Sequence, residues 1–143
     1  KLMPTILENF EYADIVRGST EDFHNMFNLS DPEIVYQKEV AFYCKQMLCT
    51  DADGEISLFS PRIKKKYQVN KIETVSTIGA GDNFNAGIVF GLMTEGIKRD
   101  DIDSITEAQW DRIIQHGQAF AAEVCQSFNN SISKSFAENY GRK

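Results

Sequence analysis

The sequence lacks the cysteine pattern of a disulfide-bonded or zinc-binding protein. Its 143 residues contain three cysteines, Cys44, Cys49 and Cys125, which are widely spaced and odd in number. No two of them form the C-x-x-C pair that is typical of zinc sites and redox motifs. We therefore expect reduced, mostly buried thiols in a cytoplasmic protein.

Long apolar runs and an excess of positive charge are also lacking. No apolar run approaches the roughly 20 residues that a membrane-spanning helix needs, and residues 1–10 have no secretory h-region. The 15 basic residues face 21 acidic ones, which gives a net charge of -6. Because such a chain repels a phosphate backbone, we expect neither a nucleic-acid partner nor a membrane. Any bound phosphate must be held locally, by backbone amides or a metal.

The residues that are present indicate alternating strands and helices. Hydrophobic residues make up 42% of the chain, which is enough for a core. Turn and capping signals delimit the segments. The predicted strands are residues 12–16, 47–50 and 55–59, with an extended stretch over 62–75. The predicted helices are residues 19–27, 32–45, 82–93, one that Thr106 caps, and a short one after Phe136. This alternation predicts an α/β domain.

One segment points to chemistry, residues 75–87, with the sequence VSTIGAGDNFNAG. Gly79 and Gly81 lie at a predicted helix start, where glycine lets the backbone approach a ligand closely. Successive amides at such a position form a concavity that prefers anions. Asp82 lies beside it in the first helical turn, where a carboxylate can accept the proton of an attacking hydroxyl.

The same residues have plainer interpretations, which stay open at this point. A Gly-x-Gly before a helix is often only a tight turn, and an aspartate there is often only a cap. The dinucleotide fingerprint is not met because Phe84 stands where a third glycine is required. No Gly-Lys-Ser/Thr follows either, so this is not a P-loop.

The segment at residues 77–84, TIGAGDNF, resembles the second signature of the ribokinase (PfkB) carbohydrate kinases, Asp-Thr-x-Gly-Ala-Gly-Asp-x-Phe. Weaker similarity covers nearly the whole chain. Residues 13–22 resemble the family's strand and Asn-x-x-Glu region. Residues 48–54 resemble its Val-Thr-Leu-Gly-x-x-Gly segment, and residues 118–122 its alanine-rich helix beside the adenine. The resemblance implies a three-layer α/β/α sandwich with a mostly parallel central sheet.

The resemblance also implies roles for individual residues. Asp82 is expected to be the catalytic base, and the amides of Gly79, Ala80 and Gly81 the anion hole. The expected contacts of ATP are Thr50, Thr77, Gly79, Gly81, Asn83 and Gln118, with Gln118 replacing a family Asn beside the adenine. Ser19 and Asp22 replace the Asn and Glu that organise water around Mg²⁺, so Asp22 is expected to act on the metal through water.

Several residues depart from the family pattern. Ser76 stands where an Asp usually helps to form a monovalent-cation site, and residues 127–130 lack the Arg-x-Gly pattern near that cation. Potassium activation is therefore not expected. Asp51 replaces a glycine of the ATP loop. The sugar pocket, Gly-Gly signature and lid of the family are not visible, so we interpret residues 1–143 as the C-terminal, nucleotide-binding half. The family's usual homodimer surface lies on that lid.

The activity implied by the resemblance is transfer of a phosphoryl group from MgATP to a sugar hydroxyl. Fructose, ribose or a keto-deoxy sugar acid would suit the family, with a fructokinase-like role favoured. Two alternatives stay open. One is a nucleoside kinase of the same family. The other is a non-catalytic nucleotide-binding protein, which Ser76 and Asp51 favour and which Gly79, Gly81 and Asp82 oppose.

Overall fold

The computed structural model describes residues 3–52, 54–69 and 73–142. The chain divides into two compact units, Lys1–Asn70 and Lys71–Lys143. The first unit combines four strands with helices, and the described part of the second is helical. The predicted α/β class is therefore confirmed. None of the described helices has the length and apolar character that crossing a bilayer demands.

The first unit begins with a helix where we predict none. Helix α1 spans Met3–Tyr12, and strand β1 follows at Val16–Ser19. The strand predicted at residues 12–16 is therefore wrong in both bounds, since it shares only Val16 with β1. Ile6, Leu7 and Phe10 lie three or four residues apart, so one face of a helix can pack all three against the core. The 78% exposed side chain of Tyr12 marks the end of this helix rather than the start of a buried strand.

Helix α2 (Thr20–Phe27) confirms the capping signal at its start. The Ser19 hydroxyl accepts a hydrogen bond from the Asp22 amide at 3.0 Å. The Asp22 carboxylate accepts one from the Ser19 amide at 2.8 Å. Together they form a capping box, which satisfies two backbone donors reciprocally.

The helix predicted over residues 32–45 is shorter. Helix α3 (Pro32–Val35) starts after the Asp31 cap as expected and continues as a π-helix over Tyr36–Val40. The Tyr36 ring stacks on Phe59 at 5.1 Å, and its hydroxyl donates to the Lys45 carbonyl at 2.8 Å. These contacts favour a turn over a further helical turn, which leaves Phe42 89% exposed.

The four strands form one sheet in the order β1-β2-β3-β4. Strands β2 (Met47–Thr50) and β3 (Glu55–Phe59) have the predicted bounds, and β4 is Lys64–Gln68. Residues 70–72 of the predicted extended stretch lie outside the described residues. Only β1 and β2 pair in parallel, whereas β2–β3 and β3–β4 are antiparallel. The expected mostly parallel pairing is thus not found within this sheet, because two short turns join its last three strands.

One face of this sheet carries the core of the first unit. Val16, Met47, Cys49 and Phe59 are buried together with side chains from α1, α2 and the π-helix. Because β1 and β2 run in the same direction, Ser19 and Thr50 end them as register partners. The fold therefore brings two of the expected site residues to one edge of the sheet.

The described part of the second unit contains three α-helices and one 3₁₀-helix, which spans Arg99–Ser104. Helix α4 (Ala80–Thr94) ends before Gly96, which has a positive φ of 66°, as predicted. Helix α5 (Glu107–Cys125) starts at the predicted Thr106 cap, with Gln109 completing a capping box. Helix α6 (Lys134–Asn139) starts three residues before the predicted position, which was after Phe136.

Glycines set the close approach of α4 to α5. A Cβ atom added at Gly87 would lie 2.4 Å from the His116 carbonyl oxygen and 2.6 Å from the Gly117 Cα. A Cβ atom at Gly91 would lie 2.8 Å from the Ile113 Cα. The two backbones are therefore too close for any side chain at these positions, and α5 fixes α4 along its length.

Candidate active site

The glycine turn, residues 77–81, is the centre of the candidate site. Gly79 has φ 81° and ψ −2°, a left-handed conformation that glycine adopts without steric cost, and it is the N-cap of α4. The Ala80 amide donates to the Thr77 carbonyl at 3.2 Å, and the Asn83 amide donates to the Gly79 carbonyl at 3.0 Å. Thr77 itself is exposed.

Two amides of the first turn of α4 remain open. The Gly81 and Asp82 amides have no acceptor among the described residues. Such donors at a helix start, together with the helix dipole, favour a bound anion. The glycine turn therefore has the chemistry of a phosphate-binding site.

Asp82 lies at the third position of α4, with its side chain exposed. Its carboxylate forms no hydrogen bond or ion pair within the described parts of the chain. No side chain caps α4, since Gly79 is the N-cap. Within the described residues Asp82 therefore does not cap α4 by a hydrogen bond, and its carboxylate is accessible to solvent.

Asn83 uses its side chain within the protein. Its amide nitrogen donates to the Gly79 carbonyl at 2.8 Å and to the Asn130 carbonyl at 2.9 Å. Gln118, the other amide residue expected at the nucleotide, lies half-buried on α5 next to Gly117. Sequence reasoning missed the contribution of Asn130, because nothing in the local pattern of residues 127–133 indicates a contact with the glycine turn.

In the first unit, Thr50 lies at the end of β2 with a partner that sequence reasoning also missed. The Arg17 guanidinium donates to the Thr50 hydroxyl at 2.8 Å across the parallel β1–β2 pair. Arg17 is within residues 13–22, and the alternation of side chains along β1 and β2 could have placed it on the same face as Thr50.

The Cys49 thiol, next to Thr50 in the chain, is buried. Burial raises the pKa of Cys49 to about 12, and the Asp51 carboxylate adds to the shift. Burial also raises the pKa of Cys125. All three cysteines are free, and Cys44 and Cys49 are buried, as predicted.

Asp22 is the acidic residue of the first unit for which the sequence predicts a role. Hydrogen bonds from the Ser19 amide and hydroxyl hold the pKa of Asp22 below its usual range, and Arg17 adds a weaker attraction. Across the parts of the chain that the structure describes, no three His, Cys, Asp or Glu side chains cluster as a metal site. The expected contact of Asp22 with a metal through water stays a prediction.

The low pKa of Asp22 leads to a prediction about stability and pH. At neutral pH, Asp22→Ala is expected to lower the free energy of unfolding by about 1 kcal/mol, because the capping box is lost. A depressed folded-state pKa gives stability that is present above the unfolded-state pKa of about 3.9. That contribution is lost as the pH falls through the folded-state value, so the difference between wild type and variant should shrink in acid.

Denaturant unfolding between neutral pH and acid measures this difference. Glu21→Ala is the matched control, because Glu21 is an exposed acid in the same turn that does not join the capping box. A difference for Asp22→Ala that stays constant into acid would contradict the capping role.

Comparison with solved structures identifies the fold. The chain is similar to the fructokinase of Vibrio cholerae O395, crystallised with fructose, ADP and calcium ion, at 18% identity and TM-score 0.76. It is similar to the fructokinase of Xylella fastidiosa with bound ATP at 16% identity and TM-score 0.80. It is also similar to the adenosine kinase of Sinorhizobium meliloti at 20% identity and TM-score 0.73. The expected ribokinase-like α/β fold is confirmed.

The coverage of these matches is uneven. They cover 90%, 91% and 95% of this chain, but only 40%, 42% and 38% of the three kinases in the same order. The chain therefore spans about two fifths of the length of the kinases that it matches. A search of curated protein sequences gives no match.

The family is established by sequence. The family model for pfkB family carbohydrate kinase matches residues 1–136. Since the match covers nearly the whole chain, the chain belongs to the pfkB family of carbohydrate kinases, as its glycine turn and Asp82 suggested.

Proposed function

We propose that this chain carries the nucleotide-binding and catalytic part of a kinase that transfers the γ-phosphoryl group of ATP to a sugar hydroxyl. The observation that carries the proposal is the start of α4, where the open Gly81 and Asp82 amides adjoin the accessible Asp82 carboxylate. An anion site beside a base is what phosphoryl transfer to an alcohol requires. Family membership supports the same chemistry.

The proposed reaction assigns each group of the glycine turn a task. The amides of Gly79 to Asp82 bind the phosphate oxygens, and the Ala80 amide must exchange its bond to the Thr77 carbonyl to take part. Asp82 accepts the proton of the sugar hydroxyl as that oxygen forms a bond to the γ-phosphorus. The bond between the γ-phosphorus and the bridging oxygen breaks, and ADP leaves. Positioning and electrostatic stabilisation supply most of the rate.

Other residues are proposed as contacts of the nucleotide and metal. Thr50 is assigned to the phosphates or ribose, with Arg17 fixing its hydroxyl. Gln118 is assigned to the adenine. Asp22 is assigned to Mg²⁺ through water, since one of its carboxylate oxygens is engaged by the Ser19 amide. Mg²⁺, when bound, neutralises charge on the phosphate oxygens. A monovalent cation is not part of the proposal, because Ser76 replaces the family's aspartate.

A sugar is the favoured acceptor. Fructokinases with bound fructose, ADP or ATP are among the similar structures, which supports a fructokinase-like role. The similarity to an adenosine kinase supports a nucleoside as the second candidate. Coupled measurement of ADP release with MgATP and a panel of fructose, ribose, keto-deoxy sugar acids and nucleosides separates the two. If the intact protein releases no ADP with any of these acceptors, the kinase proposal is wrong.

Nucleotide binding can be tested apart from turnover. Gly81→Ala is expected to weaken MgADP binding by about tenfold or more, because the methyl group occupies space that a phosphate must enter. Titration calorimetry with MgADP measures the effect. Alanine is a better helix former than glycine, so weaker binding could not be attributed to a weaker helix.

Gly96→Ala is the control for this variant. Gly96 has a positive φ, so alanine is strained there, but no atom lies within 4 Å of its added Cβ. We expect lower stability with unchanged MgADP affinity. Equal affinity in the Gly81→Ala variant would place the nucleotide away from the glycine turn.

A further inference from the structure

The chain between Cys125 and Asn130, at and after the end of α5, forms hydrogen bonds with the glycine turn and its neighbours. Asn83 Nδ2 donates one hydrogen bond to the Gly79 carbonyl at 2.8 Å and a second to the Asn130 carbonyl at 2.9 Å. A primary amide has two hydrogens, so these two bonds use its whole donor capacity. Asn83 therefore links the N-cap of α4 to a residue 47 positions further along the chain.

Packing at Gly79 supports this link independently. A Cβ atom added at Gly79 would lie 3.0 Å from the Asn130 carbonyl oxygen and 3.3 Å from the Asn130 Cα. On the side of the turn that precedes Gly79, the Val75 and Ser76 amides donate to the Cys125 carbonyl at 2.8 and 3.3 Å. The glycine turn is thus held at both ends by the chain between Cys125 and Asn130.

That chain is itself anchored at its far end. The Ser133 hydroxyl donates to the Glu123 carboxylate at 2.6 Å and accepts from the Phe136 amide at 3.1 Å, which caps α6. Phe136 and Tyr140 pack edge-on against Phe120 of α5, with ring centroids 5.5 and 5.2 Å away. The segment that contacts the glycine turn is therefore held by contacts with α5 and α6.

We propose that Asn83 is a positioning residue that fixes the glycine turn in its anion-binding conformation by binding it to Asn130. The inference rests on the proposed function, and it changes the expected role of Asn83 from nucleotide contact to support. The side-chain bond to the Gly79 carbonyl holds the left-handed N-cap, so the Gly81 and Asp82 amides keep their direction. Removing the donor frees the turn without touching the Asp82 carboxylate.

Hydrogen exchange and nucleotide affinity test the proposal together. In Asn83→Ala, we expect peptides covering residues 77–83 to exchange about tenfold faster without nucleotide, and MgADP affinity to fall about tenfold, since two hydrogen bonds are lost. Asn83→Asp keeps the shape but cannot donate, and its charge opposes phosphate, so MgADP affinity should fall further.

Asn139→Ala is the matched control. Asn139 Nδ2 donates to the Ser135 carbonyl at 2.8 Å, so the variant also loses an amide-to-carbonyl bond, but within α6. It should leave exchange at residues 77–83 and MgADP affinity unchanged.

The outcomes separate this inference from the proposed function. If hydrogen exchange at residues 77–83 is unchanged in Asn83→Ala, the proposed support of the glycine turn by Asn83 is wrong, irrespective of the affinity for MgADP. Faster exchange with unchanged MgADP affinity overturns its role in positioning. If wild-type protein binds no MgADP while Asn83→Ala exchanges faster, the proposed function fails and the bond to Asn130 is supported as a structural feature alone.

Discussion

Replacing Asp82 by asparagine in the intact enzyme is expected to lower turnover by about 10²–10⁴, the usual contribution of a general base. Asparagine keeps the size of the side chain but cannot take the proton from the substrate hydroxyl. The affinity for MgADP should change little, because the proposed phosphate contacts are backbone amides. Steady-state kinetics at saturating sugar and MgATP, with calorimetry of MgADP binding, distinguishes loss of the base from loss of binding.

The control for this variant is Asp100→Asn. Asp100 is an exposed aspartate of the same unit, and its replacement removes the same charge away from the glycine turn. It should turn over at the wild-type rate. Near-normal turnover of Asp82→Asn would remove Asp82 from the mechanism, and the capping alternative could not replace it because Gly79 is the N-cap.

The second large effect is expected from Gly87→Ala. Helix propensity alone predicts that alanine stabilises α4 by about 0.5–1 kcal/mol. The added Cβ atom would, however, lie 2.4 Å from the His116 carbonyl oxygen and 2.6 Å from the Gly117 Cα. Both obstacles are backbone, so α4 and α5 must separate. We expect a net loss of about 1–3 kcal/mol in the free energy of unfolding, the usual cost of overpacking.

The sign of the change decides this prediction. Asn85→Ala is the control, since Asn85 is exposed on the same helix and alanine has the higher helix propensity. Denaturant unfolding should show a small gain for Asn85→Ala and a loss for Gly87→Ala. A gain for both would mean that the close approach of the two helices is not maintained in solution.

Local chemistry made part of the fold predictable. The Ser19, Asp31 and Thr106 caps each start a helix in the structure, because a cap side chain binds amides only two or three residues away. Strands β2 and β3 were predicted with their observed bounds for a similar reason, since turn residues separate two short apolar runs.

The sequence predictions fail for features that depend on contacts between residues far apart in the chain. The helix that begins at Pro32 stops after Val40, and Tyr36 contacts Phe59 and the Lys45 carbonyl. No helical pattern in the sequence contains these contacts. The glycine contacts of α4 depend on which face of α5 packs against it, and a single glycine in a helical pattern does not indicate that face.

In the candidate site, too, the sequence predicts the features that a local motif determines and misses those that depend on distant residues. The positions of Gly79 and Asp82 at the start of α4 follow from the motif, and their roles stay a prediction. The partners of Thr50 and Asn83 are Arg17 and Asn130, 33 and 47 residues away in the chain. The alternation of side chains along two paired strands could have placed Arg17 beside Thr50. No local pattern indicates the contact of Asn83 with Asn130.

The strand order β1-β2-β3-β4, which follows the order of the chain, has a consequence for folding kinetics. Strands β2, β3 and β4 are joined by short turns, so their pairing closes small loops, at little entropic cost. The pairing of β1 with β2 closes a longer loop, because two α-helices and the π-helix lie between these strands. Low contact order of this kind speeds folding. The β2–β3–β4 meander can therefore form early, and Ser19 meets Thr50 only when β1 completes the sheet.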